Sequence, residues 1–259
     1  MSRLRAKCPY CRTYTAVAIG PSYECHACGR EYAAGIVRVP RAWGTGGEGM
    51  VEAAAALDLP YPEAAVVAEE TLDDQTLAVA SELPERPLVL GGCCCSHIGA
   101  VEALATRHDR LALVWIDAHG DLNTPETSPS GNAWGMSLRM ILDGGAVDSA
   151  DVALVGARDL DPPERDFIRQ SGVHAGATAI EPALEGTDAV YVAVDADGLD
   201  ETEVAAFMPV TGGIPVADAA DLLRRISENG TVAGVGLAGF LADPVNLEPA
   251  TRLCAAVGL

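Results

Sequence analysis

The sequence carries little positive charge. Its 259 residues include one lysine and sixteen arginines against 37 acids, a formal net charge of −20. Phosphate contacts need Lys and Arg, so this balance argues against nucleic-acid binding by the bulk of the chain. The near-absence of lysine reads as compositional bias rather than mechanism. Long apolar runs are missing too. Nothing approaches the roughly 18 uncharged apolar residues of a membrane span, so no membrane association is expected. Residues 1–11, MSRLRAKCPYC, are basic but have no apolar export core. A reducing, cytoplasmic location follows, where the eight cysteines serve as metal ligands or buried thiols rather than disulfides. The sequence also lacks internal repeats and low-complexity tails.

What is present begins with two C-x-x-C knuckles, Cys8-Pro9-Tyr10-Cys11 and Cys25-His26-Ala27-Cys28, with thirteen residues between them. Each knuckle puts two sulfurs on one turn, and four thiolates complete a tetrahedron. Cys8, Cys11, Cys25 and Cys28 are therefore expected to hold one structural Zn2+ in a zinc ribbon over residues 1–34. Such a closed site leaves no position for substrate. A redox pair would need one C-x-x-C beside a βαβ unit, not two. Through residue 32, five basic residues (Arg3, Arg5, Lys7, Arg12, Arg30) and two acids (Glu24, Glu31) give +3, leaving −23 for the remainder. Zinc with four thiolates adds about −2, which nearly cancels the ribbon's surplus. That disfavours nucleic acid and leaves a protein partner as the reading for the ribbon.

Residues 35–259 are nearly half apolar and alternate strand-like with helix-like segments. Strands are expected at 36–39, 87–90, 111–116, 150–155, 189–194 and 231–237. Helices are expected at 50–57, 71–83, 98–107, 136–142, 164–170 and 215–228. The alternation predicts a three-layer α/β/α domain with a mostly parallel sheet. The glycine-rich stretch Gly44 to Gly49 lacks phosphate-loop spacing and reads as a mobile loop.

The chemistry concentrates at strand ends. The apolar run 111–116 leads into Asp117-Ala118-His119-Gly120-Asp121, where alternate positions point to one face. Two hard carboxylates and an imidazole so placed suit a divalent metal. A second apolar run, 189–194, leads into Asp195 and Asp197. Five candidate ligands at two buried strand ends are enough for two ions. A third junction, Gly91-Gly92-Cys93-Cys94-Cys95-Ser96-His97, puts Cys94 and His97 about one helical turn apart; the alternative is that the thiols pack beneath the loop.

These motifs resemble the arginase and agmatinase family, the ureohydrolases, from about Gly35 to the end of the chain. Residues 117–121 match that family's Asp-Ala-His-x-Asp, and residues 195–200 its Asp-x-Asp-x-x-Asp. The resemblance implies two manganese ions and a metal-bridging hydroxide that attacks a guanidino carbon. Asp117 and Asp195 would bridge, Asp121 would hold one ion, and His119 and Asp197 the other. Asp121 and His119 would be the catalytic residues, Asp121 orienting the water or taking its proton. Asn123, Ser130 and Asn132 resemble the arginase loop that grips an α-carboxylate. Asp161 and Glu164 resemble the pair facing the α-amino group, and Thr211 matches a pocket threonine. The expected substrate is arginine, an N-modified arginine or a related linear amidine.

Three departures stand out. Cys93 and Cys94 replace an Asp-His pair, which makes Cys94 the sixth metal ligand, with His97 as fallback. Sulfur shifts preference from Mn2+ towards Zn2+ or Fe2+. Trp134 replaces a His that shuttles protons. Leu241 stands near the position of the guanidinium-binding Glu, with Asp243 and Glu248 as off-register substitutes. The alternative is a non-catalytic ligand-binding or regulatory protein of the same fold, docked through its ribbon. The family forms trimers and hexamers; because the chain stops at Leu259, a homo-oligomer is left open.

Overall fold

Two sheets make up the computed structural model, which describes residues 5–259. Arg3, counted above in the ribbon's charge, lies outside those residues. The first sheet is antiparallel, in the order β1 (Arg5–Ala6), β2 (Ala16–Ile19), β3 (Ser22–Cys25), β4 (Glu31–Tyr32). The knuckle cysteines lie at its end, with the Sγ atoms of Cys8 and Cys28 3.8 Å apart and those of Cys11 and Cys25 3.6 Å apart. A tetrahedral ion with sulfur at ~2.3 Å separates its ligands by ~3.8 Å. A disulfide would need ~2.05 Å.

The second sheet holds β5 (Gly35–Val39), β6 (Glu63–Val66), β7 (Pro87–Gly91), β8 (Leu111–Ile116), β9 (Val152–Val155), β10 (His174–Ala175), β11 (Ala189–Asp195) and β12 (Val232–Ala238). Its order is β10-β9-β8-β11-β12-β7-β5-β6. Every pairing in it is parallel. Strands buried on both faces read as continuous apolar runs, which is how β8 and β11 were legible. Their side chains alternate between two cores. Ala112, Val114 and Ile116 face one layer, and Leu111, Leu113 and Trp115 face the other.

The first layer is covered by α6 (Ile180–Leu184), α7 (Val216–Asn229) and α8 (Leu247–Ala256), through Ala183, Leu223, Ile226 and Leu253. The second is covered by α2 (Leu72–Glu82), α3 (Ile98–Ala105) and α4 (Ser137–Asp143), through Val79, Val101, Leu104 and Ile141. Two further helices, α1 (Glu48–Ala56) and α5 (Pro162–Ser171), complete the set. The small sheet docks on the edge of the large one. Lys7 and Glu63 exchange backbone hydrogen bonds at 3.1 and 3.0 Å, and Arg12 pairs with Asp58. No described helix is long and apolar enough to cross a membrane.

Candidate metal centre and substrate cavity

The middle of the large sheet runs β8-β11-β12-β7. The chain leaves β8 outward to β9 and β10, then returns to insert β11 and β12 between β8 and β7. Loops leaving neighbouring strands in opposite directions open a crevice at the strands' carboxyl ends. Cys94, Asp117, Asp195 and Gly239 all stand there.

Asp117 continues the alternation of β8, on the side of Trp115. Trp115 Nε1 donates to Asp117 Oδ2 at 3.1 Å, and the His119 amide donates to Oδ1 at 2.7 Å. Asp195, the last residue of β11, accepts from the Asp197 amide at 3.0 Å. Asp197 Oδ1 in turn accepts from the Ala118 amide at 3.1 Å, tying the two motif loops together. His119 Nδ1 lies 3.0 Å from Asp197 Oδ2 and 3.6 Å from Asp117 Oδ1. Cys94 Sγ lies 3.0 Å from Asp195 Oδ2 and 3.9 Å from Asp117 Oδ2. Asp121 adopts φ 52°, a region Asp tolerates better than most residues. Its buried Oδ2 has no hydrogen-bond partner among the described residues.

Two ligand groups result, Cys94-Asp117-Asp121 and Asp117-His119-Asp197, and they share Asp117. Asp195 adjoins the first through Cys94. The electrostatics of the bare cluster are severe. Burial, then the charge of Asp197, pushes Asp195 up to about 7; burial, then Asp117, pushes Asp197 up to about 7. Burial and then Asp117 and Asp195 hold Asp121 well above the carboxylate range. Burial, followed by the same carboxylates, raises the Cys94 thiol. Burial alone would lower His119, but its bonds to Asp117 and Asp197 push it up to about 12. Buried acids crowded together with an orphaned oxygen fit a cation-binding centre, since bound cations reverse this balance.

His97 is not part of the centre. It turns into the second core layer, its Nδ1 3.1 Å from Tyr191 Oη and its ring edge-on to Trp115. Gly236 makes room, because a Cβ there would stand 2.3 Å from that nitrogen. Of the two residues at this junction, Cys94 is the one that faces the cluster.

The cluster floors a cavity of about 240 Å³. Asn123, Ser130, Asp161 and Glu164 line it. Asn123 Nδ2 donates to Asp161 Oδ2 at 2.9 Å. Glu164 is committed elsewhere: its oxygens accept from the Leu122 amide at 3.0 Å and the Asp161 amide at 2.8 Å, a capping box at the start of α5. Asn132 lies outside the lining and accepts from the Thr45 amide at 3.0 Å. Thr211 is exposed and also outside it. Asp243 and Glu248 are exposed and do not reach the cavity; Asp243 caps the turn at Val245. The lining includes residues the sequence reading passed over: Met50, Asp159, Phe207 and Met208. Trp115, the donor to Asp117, was missed too, although a tryptophan two residues before the first Asp of the motif was the available signal.

The Arginase family model matches residues 48–240, well over half of the chain. The arginase of Bacillus subtilis (strain 168) is 36% identical over 172 residues, covering 56% of this chain and 58% of the relative. That of Bacillus caldovelox is 35% identical over 186 residues, covering 60% and 62%. The match thus spans about three-fifths of these relatives. The crystal structure of arginase from Bacillus subtilis superposes with a TM-score of 0.75 at 24% identity, covering 86% of this chain and 97% of that one, a likeness of fold. With two motif loops on one parallel sheet and this family match, the chain belongs to the arginase family.

Proposed function

We propose that the protein is a metal-dependent hydrolase that cleaves a linear C–N bond, of guanidino or amidine type, in a small amino-acid-like substrate. The observation that carries this is the pair of ligand groups sharing Asp117 on the floor of a metabolite-sized cavity. Cys94, Asp117, His119, Asp121, Asp195 and Asp197 would hold two divalent ions. The resemblance favours Mn2+, while the Cys94 sulfur moves the preference towards Fe2+ or Zn2+. Bound there, the ions would supply Lewis acidity and an activated water.

The chain's own residues do the rest. Asp121 takes the proton of the attacking water at Oδ2, the oxygen without a partner. His119 stands with Nδ1 between Asp117 and Asp197, where its ring would complete the set of groups holding an ion. Asn123 and Ser130 offer donors to a carboxylate, and Asp161 offers an acceptor to an ammonium. Glu164 positions Asp161 through the capping box rather than touching substrate. Cys8, Cys11, Cys25 and Cys28 would hold the structural Zn2+, leaving the ribbon's outer face for a protein partner.

The test combines metal content with turnover: ornithine and urea release from a guanidino amino-acid panel, on protein loaded with Mn2+, Fe2+ or Zn2+. Three ions per chain and ornithine release are expected. One zinc per chain and no turnover with any metal would leave the ligand-binding alternative, which the committed Glu164 and exposed Thr211 favour.

A further inference from the structure

Beneath the acidic cluster, one step back along the strands, lies a group of polar rings that the chemistry above does not use. Trp115 precedes Asp117 by two residues, and Tyr191 stands on the neighbouring strand β11 in the same core layer. His97 joins them from the turn after β7. All three are fully buried, and a buried polar group without a partner is costly. Trp115 has one donor, Nε1, and it goes to Asp117 Oδ2 at 3.1 Å. His97 Nδ1 and Tyr191 Oη share a hydrogen bond of 3.1 Å. The His97 ring stands perpendicular to the indole, at 88° with centroids 5.5 Å apart, and tilted to Tyr191 at 5.9 Å.

The backbone makes room for this arrangement. Trp115 on β8, Ala193 on β11 and Gly236 on β12 stand in register across the sheet. A Cβ at Gly236 would stand 2.2 Å from Tyr191 Oη and 2.3 Å from His97 Nδ1, so any side chain there would collide with both ends of the bond. An indole needs such a support, because its donor lies at one corner of a flat ring and only one orientation sends it to Asp117. Edge-to-face packing fixes the plane of a ring, and the bond to Tyr191 fixes the ring that packs. Asp117 depends on both of its donors: Oδ1 accepts from the His119 amide and Oδ2 from Trp115. The two ligand groups share Asp117, so a turn of its carboxylate disturbs both.

We propose that His97 is a positioning residue for the metal centre. Tied to Tyr191, its ring holds the Trp115 indole in the orientation that directs Nε1 at Asp117 Oδ2. His97 lies outside the cavity lining and acts only through Trp115. The effect on ion affinity rests on the metal-centre reading given above; the effect on the indole does not.

Two substitutions in the full-length protein test it. Tyr191→Phe removes Oη and keeps the ring; His97→Leu removes the imidazole. The first readout is hydrogen exchange of the Trp115 indole N–H by NMR, without added divalent ions, the resonance being the one absent from Trp115→Phe. Exchange should accelerate about 10-fold in both variants, the net worth of roughly one hydrogen bond. The Trp43 indole N–H, bonded to Gln75 Oε1 at 2.8 Å and packed on the same layer, should keep its rate. An unchanged Trp115 rate, or equal acceleration at Trp43, would overturn the proposal. The second readout is Mn2+ affinity in a chelator competition. Each substitution should weaken it about 3- to 10-fold, the scale of coupling between side chains in contact, but less than about 2-fold in the Trp115→Phe background, where the donor is already gone. Equal losses in both backgrounds would overturn the route through Trp115. Faster indole exchange in a protein that binds no Mn2+ would keep the positioning role and sink the metal reading; Mn2+ binding with unchanged exchange would do the reverse.

Discussion

Replacing Gly239 by alanine should damage the metal centre far more than the fold. Gly239 follows β12 at φ +75°, and a Cβ there would stand 2.0 Å from Asp195 Oδ1 and 2.7 Å from Oδ2. Cβ atoms essentially never approach other atoms closer than 3.0 Å, so the carboxylate must retreat by about 1 Å from its present 2.0 Å. Retreat also strains its bonds at 3.0 Å with the Asp197 amide and with Cys94. Alanine at positive φ separately destabilises by roughly 1–2 kcal/mol. Gly172, the residue after α5, isolates that backbone effect: it has φ +89° and nothing within 4 Å of a Cβ. Both Gly239→Ala and Gly172→Ala should lower Tm, by about 2–4 °C per kcal/mol in a chain of this size. Only Gly239→Ala should weaken divalent-ion affinity, by about 10- to 100-fold in a chelator competition, the usual effect of disturbing a metal ligand's orientation, with ornithine release falling alongside. Equal affinities in the two variants would refute the placement of Asp195 as a ligand hemmed in by Gly239.

Trp115→Phe removes the Nε1 donor to Asp117 Oδ2 and should lower ion affinity by about 10- to 100-fold, the usual effect of losing a group that orients a ligand; chelator competition reads it, and wild-type affinity would count against the Asp117 assignment. Cys25→Ser should remove one zinc per chain, worth about 10–16 kcal/mol of binding free energy in isolated zinc modules. Amide exchange should then accelerate in β2 and β3 but not in β8 or β11. Unchanged exchange in β2 and β3 would separate the small sheet from zinc. His97 supplies a pH prediction. Burial lowers its pKa from 6.5 to about 3, so between those values the unfolded chain binds a proton that the folded chain does not. Stability should therefore fall as pH drops through that window, by up to about 1.4 kcal/mol per pH unit from this residue. His97→Leu should flatten the urea midpoint's decline between about pH 6 and 4; an identical slope would refute the buried neutral imidazole.

The legible parts of the fold were those whose signal is local. Runs 111–116 and 189–194 are apolar throughout because both faces of β8 and β11 are buried, and they pair in parallel register, Val192 with Val114. Thr71 caps α2 by accepting from the Asp74 amide, a start visible in the residue type. The elements passed over have weak local signals. Strand β6, Glu63–Val66, is four residues long and exists because β5 and Lys7 pair with it. Helix α8 contains Pro249, which is tolerated only because it falls in the first turn; its stability comes from Leu253 and Cys254 packing into the first core layer.

The same division runs through the site. Ligand types and their spacing are written in the sequence: alternate residues past a strand end share a face, and a C-x-x-C knuckle puts two sulfurs on one turn. Whether Cys94 or His97 turns to the cluster is not local, because it depends on the space beside Gly236 and on Tyr191, residues from β12 and β11. The commitment of Glu164 to the Leu122 and Asp161 amides needs two loops brought together. The packing of Trp134 edge-on to Phe207 joins side chains from distant parts of the chain, with Gly44 and Gly47 leaving room for the indole. The sequence by itself determined which groups could bind ions and what kind of sheet would carry them, since both follow from periodicity and short spacing. Only the tertiary structure decided which of those groups meet and which are already spent on the backbone. It also decided which side chains line the cavity, because long-range packing sets those distances.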